Sequence, residues 1–292
     1  MQTIFRLIVI FALVMGGAVA YMVHNESAYI FFPETAITQT PQAAGLLFTE
    51  KTFQTSDGIT LHGWYMPQRK ASFTLLHLHG NAGNIGDRIE QYRRWHAMGL
   101  SVFAFDYRGY GQSDGLPSES GLYEDARAAW KLLTQTLGIA PGRIIIAGRS
   151  LGGSVAAQLA SEVTPAGLAL ETPFTSIPDM SADQYPWLPL RWLVKNRFDT
   201  EQALGKVKAP LLLISAREDE IVPGWMDERL FEAAPGEKLR GMLPGGHNDF
   251  DNVSKGSYIK LWRIWLGSLI RPEEKTLQWV RFWSDRAQTP TG

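Results

Sequence analysis

Gly148-Arg149-Ser150-Leu151-Gly152 constrains this chain more than any other stretch. It follows the apolar, β-branched run Arg143-Ile144-Ile145-Ile146-Ala147 and precedes an Ala-rich helical pattern, Gly153 to Ala160. Strand, G-x-S-x-G turn, helix is the order that gives this motif chemical meaning. So tight a turn pushes the central serine into a strained backbone conformation. Side chains at the flanking glycines would collide with neighbouring backbone. The Ser150 hydroxyl then stands clear of a sheet edge, at the positive end of a helix. The same five letters also fit a plain strand-to-helix turn, so the rest of the chain has to decide.

A serine hydroxyl is a weak nucleophile at neutral pH. It needs a general base in contact, and the base needs an orienting carboxylate. Where the serine sits in a G-x-S-x-G strand-to-helix turn, one known chain order of the three is Ser, Asp or Glu, His. Leu211-Leu212-Leu213-Ile214 reads as a buried parallel strand after the breaker Pro210. Just beyond it lie Glu218, Asp219 and Glu220. Asp219 is the candidate acid, with Glu218 and Glu220 as competitors and a solvated loop charge as the plain reading of each. Lys238 to Leu243 reads as a further short strand, running into Pro244-Gly245-Gly246-His247. The histidines are His24, His62, His77, His79, His96 and His247, and only His247 follows both a late strand and the acid candidate. His247 is therefore the expected general base.

The oxyanion of a tetrahedral intermediate needs preorganised N–H donors. The backbone N–H of Leu151, directly after the serine, is one. The strand Phe73 to Leu78 ends in His79-Gly80-Asn81-Ala82-Gly83-Asn84, and the Asn81 N–H is the second. Gly80 in this loop lets backbone approach substrate closely, although Asn and Gly are equally common in turns and helix caps. With no G-K-[ST] and no G-x-G-x-x-G, a nucleotide site is not expected.

These stretches, with Phe105-Asp106-Tyr107-Arg108-Gly109-Tyr110-Gly111, Glu171-Thr172-Pro173-Phe174-Thr175-Ser176 and Gly246-His247-Asn248, make the chain resemble the α/β-hydrolase superfamily. Within it, the chain resembles the membrane-tethered serine hydrolases of the bud-emergence-suppressor type, from about Phe31 to about Trp265. The resemblance implies an esterase, lipase or thioesterase with Ser150, Asp219 and His247 as its triad, and names no substrate. It implies a structural role for Asp106 and Arg108. It also implies an N-terminal membrane anchor followed by a segment like Tyr29-Ile30-Phe31-Phe32-Pro33.

Leu7 to Val23 is an uncharged apolar run, at the lower edge of the ~17–25 residues that span a bilayer. Arg6 and the amino terminus flank it on one side and Glu26 on the other. The positive-inside rule then leaves the N-terminus in the cytoplasm and the catalytic domain on the extracytoplasmic side, which in a bacterium is the periplasmic face of the inner membrane. Ala18-Val19-Ala20 also fits a signal-peptide cleavage site, and that reading gives a secreted or periplasmic protein. The run continues past Ala20 through Tyr21-Met22-Val23, which favours an uncleaved anchor.

Residues 46–54 and 59–66 flank Ser56-Asp57-Gly58 as an antiparallel hairpin. Strands near 73–79, 100–105, 143–147, 167–171, 210–215 and 238–243 then alternate with helices near 88–98, 122–137, 151–161, 224–234 and 249–266. Such alternation predicts the α/β class, here the α/β-hydrolase fold, with a mainly parallel central sheet and helices on both faces. Ser150, Asp219, His247 and Asn81 all follow strands, so they share one sheet edge. The expected division is 1–25 anchor or signal segment, 26–270 catalytic domain with a short cap insert at about 172–208, and 271–292 tail. The cap's Tyr185, Trp187, Leu188, Leu190, Trp192 and Leu193 suit either core packing or an apolar acyl-binding wall. Phe174 and Trp187, with Gly80, are the candidate substrate contacts. The tail's Trp279, Phe282 and Trp283 suggest a peripheral helix, and residues 288–292 read as disordered.

Net charge is −1, which gives no electrostatic case for nucleic acid. The chain has no cysteine, so disulfides, palmitoylation and thiol catalysis are excluded. No H-E-x-x-H or similar pattern suggests a metal, and serine acyl transfer needs no cofactor. The expected partners are a small-molecule or lipid-like acyl substrate and the bilayer. Two other readings stay open: a prolyl-aminopeptidase-like hydrolase, and a non-enzymatic binding protein on a hydrolase scaffold.

Overall fold

The computed structural model describes residues 1–270 and the backbone of 281–283. Helix α1 (Gln2–His24) and the short α2 (Glu26–Ile30) precede strand β1 (Phe32–Pro33). The hairpin β2 (Thr49–Gln54) and β3 (Thr60–Met66) leads to β4 (Thr74–Leu78) and the two-residue β5 (Ala82–Gly83). Then come α3 (Ile89–Ala97), β6 (Ser101–Phe105), α4 (Glu119–Lys131), β7 (Ile144–Arg149), α5 (Leu151–Glu162) and β8 (Gly167–Glu171). The cap segment carries α6 (Ile177–Gln184), α7 (Leu190–Leu193) and α8 (Thr200–Leu204). Last are β9 (Leu211–Ala216), α9 (Gly224–Ala233), β10 (Lys238–Leu243), α10 (Phe250–Val253), α11 (Lys255–Ile270) and β11 (Arg281–Trp283).

Nine described strands form one sheet in the order β11-β10-β9-β8-β7-β4-β6-β3-β2. Only β2–β3 and β3–β6 pair antiparallel. The mainly parallel α/β architecture expected from the alternation is therefore the one observed. Its strands are apolar at nearly every position because both faces are covered. Successive residues of β7 divide between two cores: Ile144 and Ile146 join the face with α4 and α5, Ile145 and Ala147 the face with α3 and α11. Leu211 and Leu213 of β9 divide from Leu212 and Ile214 in the same way.

Three local features depart from the sequence reading. Helix α4 starts at Glu119 because Ser118 caps it, accepting from the Gly121 N–H at 3.1 Å. Its last turn, Leu132–Thr136, is a π-helix. Residues 281–283 pair in parallel with β10 rather than forming a helix. The remaining tail, with Trp279 and residues 288–292, lies outside the described residues.

The loop after β6 braces the carboxyl edge of the sheet. Arg108 reaches Asp57 at the hairpin turn and Asp125 on α4, each at 2.8 Å. Asp106 is fully buried and accepts from the Ile85 N–H at 2.9 Å. Its other oxygen has no partner among the described residues, and His79 Nε2 lies 3.6 Å from the carboxylate. The His79 ring already hydrogen-bonds the Gly80 carbonyl through Nδ1 at 2.7 Å, so Nδ1 holds its proton and Nε2 is an acceptor. Burial holds the Asp106 pKa up at about 7 and pushes that of His79 down to about 3. A protonated Asp106 beside a neutral imidazole follows.

The folded chain therefore keeps a proton on Asp106 up to pH about 7, whereas the unfolded chain releases it near 3.8. Between those values the folded state binds more protons, so rising pH favours unfolding. Relative to Asp106→Asn, the wild type should lose up to about 1.4 kcal/mol of stability per pH unit across this window. Paired thermal melts between pH about 4 and about 7 test this, and a flat difference would mean that Asp106 is ionised throughout.

Candidate active site

Ser150 sits between β7 and α5 with φ 52° and ψ −119°, a conformation strained for any residue but glycine. The neighbours that hold it there are visible. The Ser150 N–H donates to the Glu171 carbonyl at 2.9 Å, and Gly153 N–H returns to the Ser150 carbonyl at 2.8 Å. A Cβ on Gly152 would overlap the carbonyls of Leu78 and His79, and one on Gly148 would overlap Gly152. Both glycines are thus required by close approach of backbone to backbone. As first residue of α5, Leu151 has an N–H with no intrahelical acceptor.

Asn81 faces this turn from the loop after β4. Its carbonyl accepts from Tyr110 Oη at 2.8 Å and from the Phe32 N–H at 2.9 Å, while its side-chain amide donates to the Ile30 carbonyl at 3.1 Å. Its carbonyl and its side-chain NH2 are thus engaged by the supporting frame. Ser150, Leu151 and Asn81 together line one cavity of about 280 Å³.

The three acidic residues after β9 divide the work around His247. Asp219 receives the ring Nδ1 at 2.9 and 3.0 Å and also accepts from the N–H groups of Ile221 and Val222 at 2.9 and 2.7 Å. Glu218 accepts from the Gly245 N–H at 2.6 Å and Glu220 from the His247 N–H at 3.0 Å. The competitors thus shape the histidine loop, and Asp219 alone of the three reaches the ring. Burial alone would raise the Asp219 pKa, but the hydrogen bonds from His247, Val222 and Ile221 outweigh it and hold the carboxyl below its ordinary range. An ionised carboxylate only accepts, so Nδ1 is the donor in this contact and, in the neutral ring, Nε2 is the nitrogen with the lone pair. Arg149 completes the loop's support. It donates to the His247 carbonyl at 2.9 Å, lies 3.5 Å from Asp251 and covers the Phe250 ring at 4.7 Å.

Of the candidate substrate contacts, Phe174 lines the cavity and is buried. Gly80 does not line it. A Cβ there would lie 3.9 Å from that of Ser150, so Gly80 adjoins the serine turn. Trp187 does not line the cavity either and is 68% exposed in the turn between α6 and α7. Tyr185 and Leu190, its neighbours in that segment, form the wall instead. The sequence reading missed the opposite wall, which is Met22 and Val23 at the end of α1 with Tyr29 and Ile30 of α2. Their apolar character was legible, but it reads the same for a membrane span and for a pocket wall. His62, His77 and His79 are buried away from the cavity, and burial lowers all three pKa values. Among the described residues no cluster of three or more His, Asp or Glu side chains is arranged to hold a metal.

Residues 69–200 match a family described as serine aminopeptidase, S33. The α/β hydrolase domain-containing protein WAV2 of Arabidopsis thaliana is 32% identical over 76% of this chain and 79% of its own length. An uncharacterized membrane protein of Saccharomyces cerevisiae is 33% identical over 80% of this chain and 89% of its own. Protein bem46 of Schizosaccharomyces pombe is 35% identical over 63% and 64%. Among solved structures, a Pyrococcus furiosus esterase superposes with a TM-score of 0.68 at 20% identity, over 82% of this chain and 98% of that one. This last likeness speaks to the fold.

Gly152→Ala should displace the α5 terminus from β4. The expected cost is about 1–3 kcal/mol from overpacking, read as a lower thermal midpoint together with slower reaction of Ser150 with a fluorophosphonate. Unchanged values for both would mean that the turn has slack.

Proposed function

Because the chain belongs to the α/β-hydrolase superfamily, with WAV2 and bem46 among its relatives, we propose that it is a serine hydrolase of carboxylic esters or thioesters. Ser150 is the nucleophile, His247 the general base and acid, and Asp219 the carboxylate that orients the ring. The observation that carries this reading is the bidentate contact of Asp219 with His247 Nδ1 at 2.9 and 3.0 Å. It makes Nδ1 the donor, so that in the neutral ring Nε2 is the base, on the sheet edge that also bears the strained Ser150.

His247 Nε2 takes the hydroxyl proton as Ser150 Oγ attacks the acyl carbon. The resulting oxyanion is held by the N–H groups of Leu151 and Asn81. As the intermediate collapses, His247 returns the proton to the departing alcohol or thiol, leaving the acyl group on Ser150. Water then attacks the acyl-enzyme and gives a proton to His247. The second collapse releases the acid and restores the Ser150 hydroxyl.

A peptidase acting on a free amino terminus needs an unengaged carboxylate near the serine. Glu26 is the acidic side chain that lines the cavity, and its oxygens already accept from the Lys195 and Asn196 N–H groups at 2.8 and 2.6 Å. The ester reading is favoured for that reason. Residues 1–25 act as an anchor, 26–270 as the catalytic domain with the cap insert at about 172–208, and Arg6 places the domain on the extracytoplasmic side. Supporting the anchor, α1 is 23 residues long, apolar and without a buried residue, and it runs unbroken through Ala18-Val19-Ala20.

Full-length protein in detergent should react with a fluorophosphonate and hydrolyse p-nitrophenyl butyrate. Ser150→Ala should abolish labelling and cut kcat by at least about 10³-fold with no loss of melting temperature. Labelling and turnover that persist in Ser150→Ala would overturn the assignment.

A further inference from the structure

The first helix does two things at once, and its geometry restricts what can reach Ser150. Its side chains Met15, Val19, Met22 and Val23 are half-buried while most of the helix is exposed. These positions recur at helical spacing and form one face over the last turns. Gly16, Val19, Ala20 and Val23 line a groove whose opposite side is Leu193 of α7. A Cβ added at Gly16 would meet nothing within 4 Å, so the groove is open space beside the helix.

Depth follows from length. The 17 residues from Leu7 to Val23 make about 26 Å of helix at ~1.5 Å per residue, against about 30 Å of hydrocarbon. No turn of this run is dispensable to a span, so the stretch from Met15 onward lies within the outer leaflet. That stretch is the one packed on α7, so α7 sits at membrane depth too. Its surface suits that position. Trp192 is 82% exposed, Trp187 68% and Leu193 42%, an apolar and aromatic face costly to leave in water. Arg191 pairs with Asp179 at 3.2 Å and lies over the Trp192 ring at 5.9 Å, and Lys195 lines the groove, long cationic side chains whose heads can reach up toward lipid headgroups.

Val23 lines both the α1–α7 groove and the cavity that holds Ser150, so the two spaces adjoin. Beyond Val23 the walls are Met22, Ile30, Met180, Leu190 and Val194, and they end at Ser150 and Phe174. At about 280 Å³ the cavity falls just below the ~300–1,000 Å³ typical of ligand sites. It fits a single chain rather than a whole diacyl lipid. Moving an acyl chain from hydrocarbon into such a cavity exposes no apolar surface to water, whereas a route through solvent would.

Resting on the serine hydrolase reading above, we propose that the substrate is the acyl ester of a bilayer lipid, whose chain slides laterally from the outer leaflet between α1 and α7 into the cavity before Ser150. The headgroup side of the ester then stays at the interface while the chain is held by the wall that the anchor itself provides.

The test uses full-length protein reconstituted in phosphatidylcholine vesicles, with two probes that share a leaving group. 4-Methylumbelliferyl oleate is dissolved in the bilayer and 4-methylumbelliferyl acetate is supplied in water. Ala20→Trp fills the groove and should lower the oleate-to-acetate rate ratio at least about tenfold. Trp192→Glu, at an exposed position that does not depend on refilling the groove, should lower the same ratio. Fluorophosphonate labelling reports on Ser150 itself in each variant. A ratio unchanged in both variants, with labelling retained, overturns lateral access. Wild-type protein that neither labels nor cleaves either probe overturns the hydrolase reading instead. A ratio that falls in both variants, with labelling retained, supports the proposal.

Discussion

The carboxyl edge of this sheet is organised by one steric constraint, the contact of the Gly152 backbone with the carbonyls of Leu78 and His79. It brings the first turn of α5 directly onto the end of β4. Two strand exits that would otherwise diverge are held together, so Leu151 and Asn81 line one cavity with Ser150. The loop after β4 cannot relax away, because it is braced from behind. Tyr107 Oη donates to the His79 carbonyl at 3.2 Å, and the Tyr107 and Tyr110 rings pack against His79 at 4.4 and 5.2 Å. The strain at Ser150 persists because its surroundings over-determine it.

A second constraint ties the strand that leads to Ser150 to the loop that carries His247. Arg149 precedes Ser150 in sequence, and its guanidinium reaches the His247 carbonyl and the Asp251 carboxylate. Asp251 is shared with Arg94, whose other nitrogen donates to Asn252 at 2.6 Å. Isolated buried charges are costly, and here Arg94 and Arg149 both face the Asp251 carboxylate. The loop therefore has charged contacts on both flanks, Arg149 on one and Glu218 and Glu220 on the other. Asp219 is left to the ring.

Much of this was legible in the sequence, for reasons that can be named. Buried parallel strands need apolar residues on both faces, so β7 and β9 announce themselves as unbroken Ile and Leu runs. The glycine pattern around Ser150 is fixed by backbone contact, which leaves few other residues possible. Tertiary hydrogen bonds were not legible. Helix α4 begins three residues earlier than its apolar pattern because Ser118 caps it, and Glu119 in its first turn accepts from the Phe198 N–H at 2.7 Å. Nor does hydrophobicity say which way a side chain points. Trp187 and Leu190 lie in one apolar segment, yet Leu190 lines the cavity and Trp187 faces outward.

The junction between α1 and the rest of the fold shows that this helix is not loosely tethered. A flexible tether would be a Gly- or Ser-rich stretch that lets the domain tumble. Here Asn25 alone separates α1 from α2. On α2, the Glu26 carboxylate accepts from the N–H groups of Lys195 and Asn196, and Glu119 on α4 accepts from those of Arg197 and Phe198. Four consecutive backbone donors at the exit of the cap are thus held by two carboxylates from different elements. Fixing Glu26 fixes α2, and fixing α2 across a single residue fixes the direction in which α1 leaves. The cap, the cavity and the axis of the apolar helix then turn as one body. The orientation of the sheet edge toward any membrane that α1 enters is set by hydrogen bonds to backbone rather than by diffusion at the end of a linker.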